Sequence, residues 1–258
     1  MTPPVEKYDQ RGASASKKEV HHAIRNLDKG LYPNAFCKIL PDVAGGDADF
    51  CNIMHADTAG TKTSLAYLYW KETGDISVWR GIAQDALVMN LDDMACCGCL
   101  DDILISNTIA RNKHLIPGEV IEEIIEGTIA FVEAMGERGI SIKHAGGETA
   151  DTGDIVRTID VGITAFGRMP RKELIVNQIR PGAVIIGLAS DGKANYEAEY
   201  NSGIGSNGLT SARHDMLHHM YATKYPESFS PETDIRYVYN GPWQLTDKVN
   251  VGNEEINV

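Results

Sequence analysis

The chain has 258 residues and a formal net charge of −12, long enough for a full core and of the wrong sign for gripping nucleic acid or an anionic bilayer through a basic face. Its opening residues, Met1 to Lys18, are polar and lack the apolar stretch of a secretory leader, and no run of about eighteen apolar residues offers a membrane span. Five cysteines, three of them crowded at Cys96, Cys97 and Cys99, do not resemble a secreted disulfide frame, so the expected location is the cytoplasm.

In chain order, Lys17 to Leu27 carries a weak helical pattern in Val20, Ile24 and Leu27 that Gly30 and Pro33 would end. After a loop with Gly45, Gly46, Asp47 and Asp49, the apolar run Phe50 to Met54 predicts a strand that delivers Asp57 and passes into a loop. Ser64 to Trp70 reads as a buried helix closed by Gly74. Gly81 to Met94 reads as another, with Asp92 and Asp93 diverging by about 100° round its axis. Leu100 to Ile105 is a candidate strand. Pro117-Gly118-Glu119 opens the clearest helix, with glutamates in its first turns and an apolar stripe through Val120, Ile124, Val132 and Met135 that ends at Gly136 and Gly139. Ile140 to Ile142 predicts a short strand running straight into a loop at Gly146-Gly147-Glu148. Ile155 to Thr164 alternates and reads as a long strand.

The charged stretch Arg168 to Arg180, followed by Pro181-Gly182, is the expected boundary between domains at 1–170 and 171–258. Val184 to Leu188 predicts a buried strand, and Leu209 to Tyr221 a helix. The chain beyond Tyr225 reads as a polar tail with few core residues and no closing element.

The chemistry concentrates in three stretches. Asp57-Thr58-Ala59-Gly60-Thr61-Lys62 puts a carboxylate, a glycine, a hydroxyl and an ammonium side by side. Aspartate offers hard oxygen to Mg²⁺, glycine lets backbone N–H groups close on phosphate oxygens, and lysine brings a point charge. The spacing is not that of a P-loop. Asn90-Leu91-Asp92-Asp93 and Gly146-Gly147-Glu148-Thr149-Ala150 complete the acidic, glycine-rich set, with Asp93 rather than Asp92 expected at the site.

Three other patterns have plainer explanations. Gly203 to Gly208 fits G-x-G-x-x-G but does not follow directly on a strand, so a dinucleotide site is set aside. His214 and His218 stand one helical turn apart, yet Asp215 replaces a metalloprotease's glutamate and no third ligand is evident. The crowded cysteines read as small core residues. His55 and His144 each precede an acidic motif and either face the site or pack in the core.

The order Asp-x-x-Gly-Thr-Lys, then Asp92-Asp93 on a helix, then Gly-Gly-Glu-Thr-Ala, then Ser206-Asn207-Gly208 resembles the phosphoribosylformylglycinamidine cyclo-ligase (aminoimidazole ribonucleotide synthetase) family over roughly Tyr8 to Leu217. The resemblance implies an α+β, PurM-like two-domain fold. Its N-terminal sheet with packed helices would form a dimeric, barrel-like interface, and its second α/β domain would be incomplete here. It further implies a homodimeric enzyme of purine synthesis that uses ATP and Mg²⁺ on a small ribonucleotide substrate. By position, Asp57, Asp93 and Glu148 would surround the metal, and Asp57 and Lys62 would be catalytic. Gly60, Thr61, Lys62, Asp93, Gly146, Gly147 and Glu148 would hold ATP, and Ser206 and Asn207 the second substrate. The chain departs from the family at Thr58-Ala59, at Asp92, at Ser14 and at Gly205. Other branches of the superfamily, the thiamine-phosphate kinases and hydrogenase-maturation proteins, share the ATP site, but Gly60-Thr61-Lys62 favours the purine branch. A non-catalytic nucleotide-binding dimer scaffold is the alternative from another class.

Overall fold

The computed structural model describes residues 7–14, 16–189, 191–193, 195, 200 and 204–258. Its helices are α1 (Lys7–Gln10), α2 (Lys18–Ile24), α3 (Lys62–Thr73), α4 (Val78–Ala95), α5 (Gly118–Gly136), α6 (Leu209–Met216) and α7 (Met220–Lys224). Its strands are β1 (Ile39–Pro41), β2 (Phe50–Thr58), β3 (Ile103–Arg111), β4 (Ile142–Asp151), β5 (Ile159–Pro170), β6 (Lys248–Val251) and β7 (Glu254–Asn257). The architecture is α+β. Two compact units share the chain: a sheet unit, Asn26–Gly60 with Ile76–Ile185, and a helical unit, Met1–Arg25 with Thr61–Asp75 and Ile186–Val258.

In the sheet unit five strands run in the order β1-β2-β5-β3-β4. Every pairing is antiparallel except β3 with β4. A parallel pair needs a crossover, and α5, capped at its start by Pro117 as the sequence predicts, supplies it. Helices α4 and α5 pack on each other, α4 against β2 and β5, and α5 against β4. The strands alternate accordingly. Ile103, Ile105 and Ile109 of β3 and Val161, Ile163 and Ala165 of β5 are buried, and between them Asn107 reaches Thr128 of α5. The other face is open: Met54, Phe166 and Leu104 form one cross-strand row, with Met54 61% and Leu104 42% exposed.

Local differences from the sequence reading follow from pairing. Strand β2 extends to Thr58 because β5 pairs with it along its whole length, so Asp57 lies within the ladder rather than beyond it. Gly146-Gly147-Glu148, expected in a loop, lies inside β4. There the register slips between Ile105 and Asn107 of β3, which face His144 and Gly147. That accommodates an extra β4 residue as a bulge, and Gly146 sits at φ 94° beside it. Gly147 runs so close to β3 that a Cβ would stand 2.3 Å from the Asn107 carbonyl oxygen.

The helical unit holds two further corrections. The helix expected over Leu209 to Tyr221 breaks after Met216, because Leu217 and His218 bridge to Trp243 and Gly241. The region beyond Tyr225 is no polar tail: Phe229, Val238, Tyr239 and Leu245 are buried, and the hairpin β6–β7 closes it. Val184 to Leu188 is not the predicted buried strand. Val184, Ile185, Ile186 and Leu188 are all exposed, since an apolar run becomes a buried strand only where a neighbour completes its ladder, and no described strand does so.

Candidate functional site

The sheet unit builds its acidic site where β2 meets α4. Side chains two apart on a strand share a face, so His55 and Asp57 both point toward the helices. His55 Nδ1 lies 3.0 Å from Asn90 Oδ1 and its Nε2 lies 3.0 Å from Asp93 Oδ2. Asn90, fully buried, also donates through Nδ2 to the carbonyl oxygens of Ala86 (3.0 Å) and Asp57 (3.4 Å). One imidazole thus ties Asn90 and Asp93 of α4 to the strand. Asp92 points away and is exposed. Asp57 is partly exposed, and its Oδ1 accepts from the Thr58 backbone N–H at 2.7 Å. Neither the histidine link nor Asn90's role is readable from spacing alone, because both need the strand laid against the helix.

Glu148 stands elsewhere. It pairs with Thr108, Thr108 with Gly162, and Gly162 with Thr58, so its row is the neighbour of Asp57's and faces the opposite side of the sheet. Three strand spacings, roughly 14 Å, separate β4 from β2. Glu148 is exposed, and its Oε1 accepts from the Thr149 N–H at 3.0 Å. Within one copy, therefore, Asp57 and Asp93 sit on the helix side and Glu148 on the open side. Among the described residues no group of three or more His, Cys, Asp or Glu side chains is arranged to hold a metal. A magnesium ion bound to a polyphosphate needs only one or two protein carboxylates, and the partly exposed, hard-oxygen Asp57 fits that requirement.

Asp160, on the neighbouring β5, is a residue the sequence reading passed over as part of an alternating strand. Burial raises its pKa; a hydrogen bond with the Thr58 side chain opposes the rise, and the Asp57 charge adds a smaller push upward. Its only sequence signal is an acid in an otherwise apolar strand.

The helical unit carries Thr61, Lys62, Ser206 and Asn207. Thr61 caps the start of α3, Lys62 is the first residue of that helix, and Ser206-Asn207-Gly208 leads into α6. Thr61 Oγ1 and Thr210 Oγ1, the latter in the first turn of α6, stand 2.6 Å apart. The two helix starts are thereby neighbours, and helix starts present N–H groups and positive dipole ends to anions. Ser206 Oγ is buried with no hydrogen-bond partner among the described residues, and Asn207 is exposed. Gly60 closes the β2 turn, its N–H donating to Thr58 Oγ1 at 3.1 Å.

The residues given plainer explanations are accounted for. His214 is buried against Tyr239, ring centroids 4.8 Å apart, and burial first, then the Arg213 and Arg11 charges, push its pKa down to about 3. His218 lies past the helix break. Cys97 and Cys99 are buried and Cys96 exposed, and Cys97 Sγ accepts from the Cys37 N–H at 3.1 Å. His144 Nε2 meets Asn107 Oδ1 at 2.7 Å.

Residues 41–169 match the family model described as AIR synthase related protein, N-terminal domain. Relatives named phosphoribosylformylglycinamidine cyclo-ligase include one from Saccharolobus solfataricus, 28% identical over 194 residues that make up 72% of this chain and 54% of that protein. Another, from Thermococcus kodakarensis, is 32% identical over 166 residues, 64% of this chain and 42% of the relative. A third, from Pyrococcus furiosus, is 33% identical over 158 residues, 61% and 40% respectively. The chain spans about half the length of the curated relatives it matches. Among solved structures, AaThiL complexed with AMPPCP and TMP superposes with a TM-score of 0.43 at 10% identity, over 62% of this chain and 42% of that one, too slight a likeness to argue from.

Proposed function

This chain belongs to the AIR synthase related family, and we propose that it takes part in purine synthesis as an ATP- and Mg²⁺-dependent cyclo-ligase that converts formylglycinamidine ribonucleotide to aminoimidazole ribonucleotide. The observation that carries the reading is the 2.6 Å contact between Thr61 and Thr210. It sets the start of the helix that follows the phosphate motif beside the start of the helix that follows the Ser206-Asn207 motif, as transfer between two bound substrates requires.

Asp57 and Asp93 offer carboxylate oxygens to the metal, and Lys62 meets a phosphate. Gly60, Thr61, Gly146 and Gly147 line the nucleotide, while Ser206 and Asn207 hold the ribonucleotide, Ser206 through the hydroxyl that has no partner among the described residues. His55 and Asn90 position Asp93. Bound Mg²⁺-ATP supplies the phosphoryl group and neutralises the charge that develops on it. The γ-phosphoryl group goes to the formyl amide oxygen, an amidine nitrogen closes the five-membered ring, and phosphate leaves. The protein's share is positioning and charge neutralisation, because phosphoryl transfer asks little covalent work of side chains.

The reading includes a homodimer. Glu148 faces the open side of the sheet, the same side as the exposed row Met54, Phe166 and Leu104. A second copy covering that face would bury the row together with the surface around Glu148. The test of function is direct. Purified chain is given ATP, Mg²⁺ and formylglycinamidine ribonucleotide, and ADP release that depends on the ribonucleotide supports the ligase. ATP binding without such turnover contradicts it.

A further inference from the structure

Strand β5 carries one acid, Asp160, to which no role is assigned above, and strand register sets where it points. Val161 and Ile163 turn inward to the helices, so Asp160 and Gly162 take the open face. Thr58 pairs with Gly162 and shares that face. A side chain at Gly162 would begin 3.4 Å from Thr58 Cγ2. Glycine there leaves Thr58 room to reach along β5 to Asp160, whose carboxylate hydrogen-bonds with the Thr58 side chain. The Thr58 hydroxyl also accepts from the Gly60 N–H at 3.1 Å. A hydroxyl has a single proton, so with the Gly60 N–H already directed at its oxygen, that proton goes to Asp160. The Thr58 backbone N–H meanwhile donates to Asp57 Oδ1 at 2.7 Å, and the Ala59 N–H donates to the Val161 carbonyl oxygen at 2.9 Å.

Thr58 is the joint of the β2 turn. Its N–H holds the carboxylate assigned to the metal, and its hydroxyl holds the glycine that follows. It is also a position at which the chain departs from the family's motif, so the link to Asp160 is this chain's own. We propose that Asp160 is a positioning residue, which through the Thr58 hydroxyl fixes the turn from Asp57 to Gly60 in the shape that receives Mg²⁺-nucleotide. The inference rests on the nucleotide site proposed above. Without the carboxylate the hydroxyl is free to rotate and its hold on Gly60 loosens. Nucleotide binding then has to order a turn that the parent holds ready.

Two readouts on the full chain test this. In hydrogen exchange, Asp160→Ala and Thr58→Val should each speed exchange of the Gly60 amide at least about fivefold, while Asp160→Asn, whose side-chain carbonyl still accepts the hydroxyl, should leave it within about twofold of the parent. In calorimetric titration with Mg²⁺ and a non-hydrolysable ATP analogue, the first two variants should each bind about fivefold more weakly, and the double variant no more weakly than either alone. Asp160→Asn should regain most of that loss. A purely structural role for Asp160 would produce neither the rescue by the amide nor the coupling to Thr58. Where Asp160→Ala does not fold, Thr58→Val and Asp160→Asn carry both readouts. Parental Gly60 exchange in Thr58→Val, losses that add in the double variant, or an Asp160→Asn protein as weak as Asp160→Ala would overturn the assignment. A parent that binds no nucleotide would instead overturn the ligase reading, and Gly60 exchange would still decide the link.

Discussion

Gly146 and Gly147 are adjacent, yet the structure requires glycine at each for a different reason, and alanine substitutions separate the two. At Gly147 a Cβ would lie 2.3 Å from the Asn107 carbonyl oxygen and 3.0 Å from its carbonyl carbon and amide nitrogen, all backbone of the paired strand. No rotamer change relieves a clash with backbone, so β4 must withdraw by about 1 Å to reach ordinary contact. Overpacking of that kind costs about 1–3 kcal/mol, and a stretched ladder hydrogen bond adds about 1 kcal/mol. Because β4 is an edge strand, it can peel outward, which keeps the total for Gly147→Ala at about 2–4 kcal/mol. At Gly146 a Cβ meets nothing within 4 Å, and the obstacle is φ 94° alone, worth about 1–2 kcal/mol. The assay is hydrogen exchange of the β3 and β4 amides, backed by urea unfolding of parent and both variants. Gly147→Ala should lose more protection than Gly146→Ala, and the loss should concentrate at the β3–β4 pairing. Equal losses, a reversed order, or a Gly147→Ala protein with parental exchange along β3 would refute the strand-pairing account.

Removing His55 as His55→Ala strips the buried Asn90 and Asp93 of a shared partner, and should lower stability by about 1–3 kcal/mol and weaken Mg²⁺-nucleotide binding; a variant with parental melting and binding would show the link to be incidental. Asp42 contributes to the pH dependence. Arg168 first, then the N–H groups of Asp47 and Gly45 and the Asn52 amide, hold its carboxyl well below the usual range against an opposing push from burial. A depressed folded pKa means this stabilisation is complete above the unfolded value of about 3.9 and fades as pH falls below it. Urea midpoints measured from pH 7 to 2 should therefore fall less steeply in acid for Asp42→Asn than for the parent, and parallel curves would contradict the assignment. If Glu148 serves the partner copy's nucleotide, Asp57→Asn and Glu148→Gln proteins, each inactive alone, should regain about a quarter of parental turnover when mixed and re-equilibrated. No recovery would contradict a nucleotide site shared between copies.

The legibility of the chain varied with how local each signal is. Helix α5 is readable because Pro117, the early glutamates and the apolar stripe all sit within one segment, and Asp57 is readable because a short apolar run points at it. What the sequence could not reveal depends on partners distant in the chain. Gly146-Gly147-Glu148 looks like a loop by composition and becomes a strand because β3 pairs with it; the side of the sheet that Glu148 faces follows from a one-residue bulge. Val184 to Leu188 has the composition of a buried strand and lacks the neighbour that would make it one. The region after Tyr225 looks polar in bulk, while Phe229, Val238, Tyr239 and Leu245, spaced without helical or strand periodicity, supply a core. Asp160 and the His55 link were hidden for the same reason, since each acts across two elements.

The most direct test of the central claim, that the carboxylates at the junction of β2 and α4 grip a metal-bound nucleotide, is calorimetric titration of the chain with Mg²⁺ and a non-hydrolysable ATP analogue. Asp57→Asn and Asp93→Asn should each weaken binding by about tenfold or more while leaving the unfolding transition of the sheet unit intact. Undiminished affinity in both variants would contradict the account.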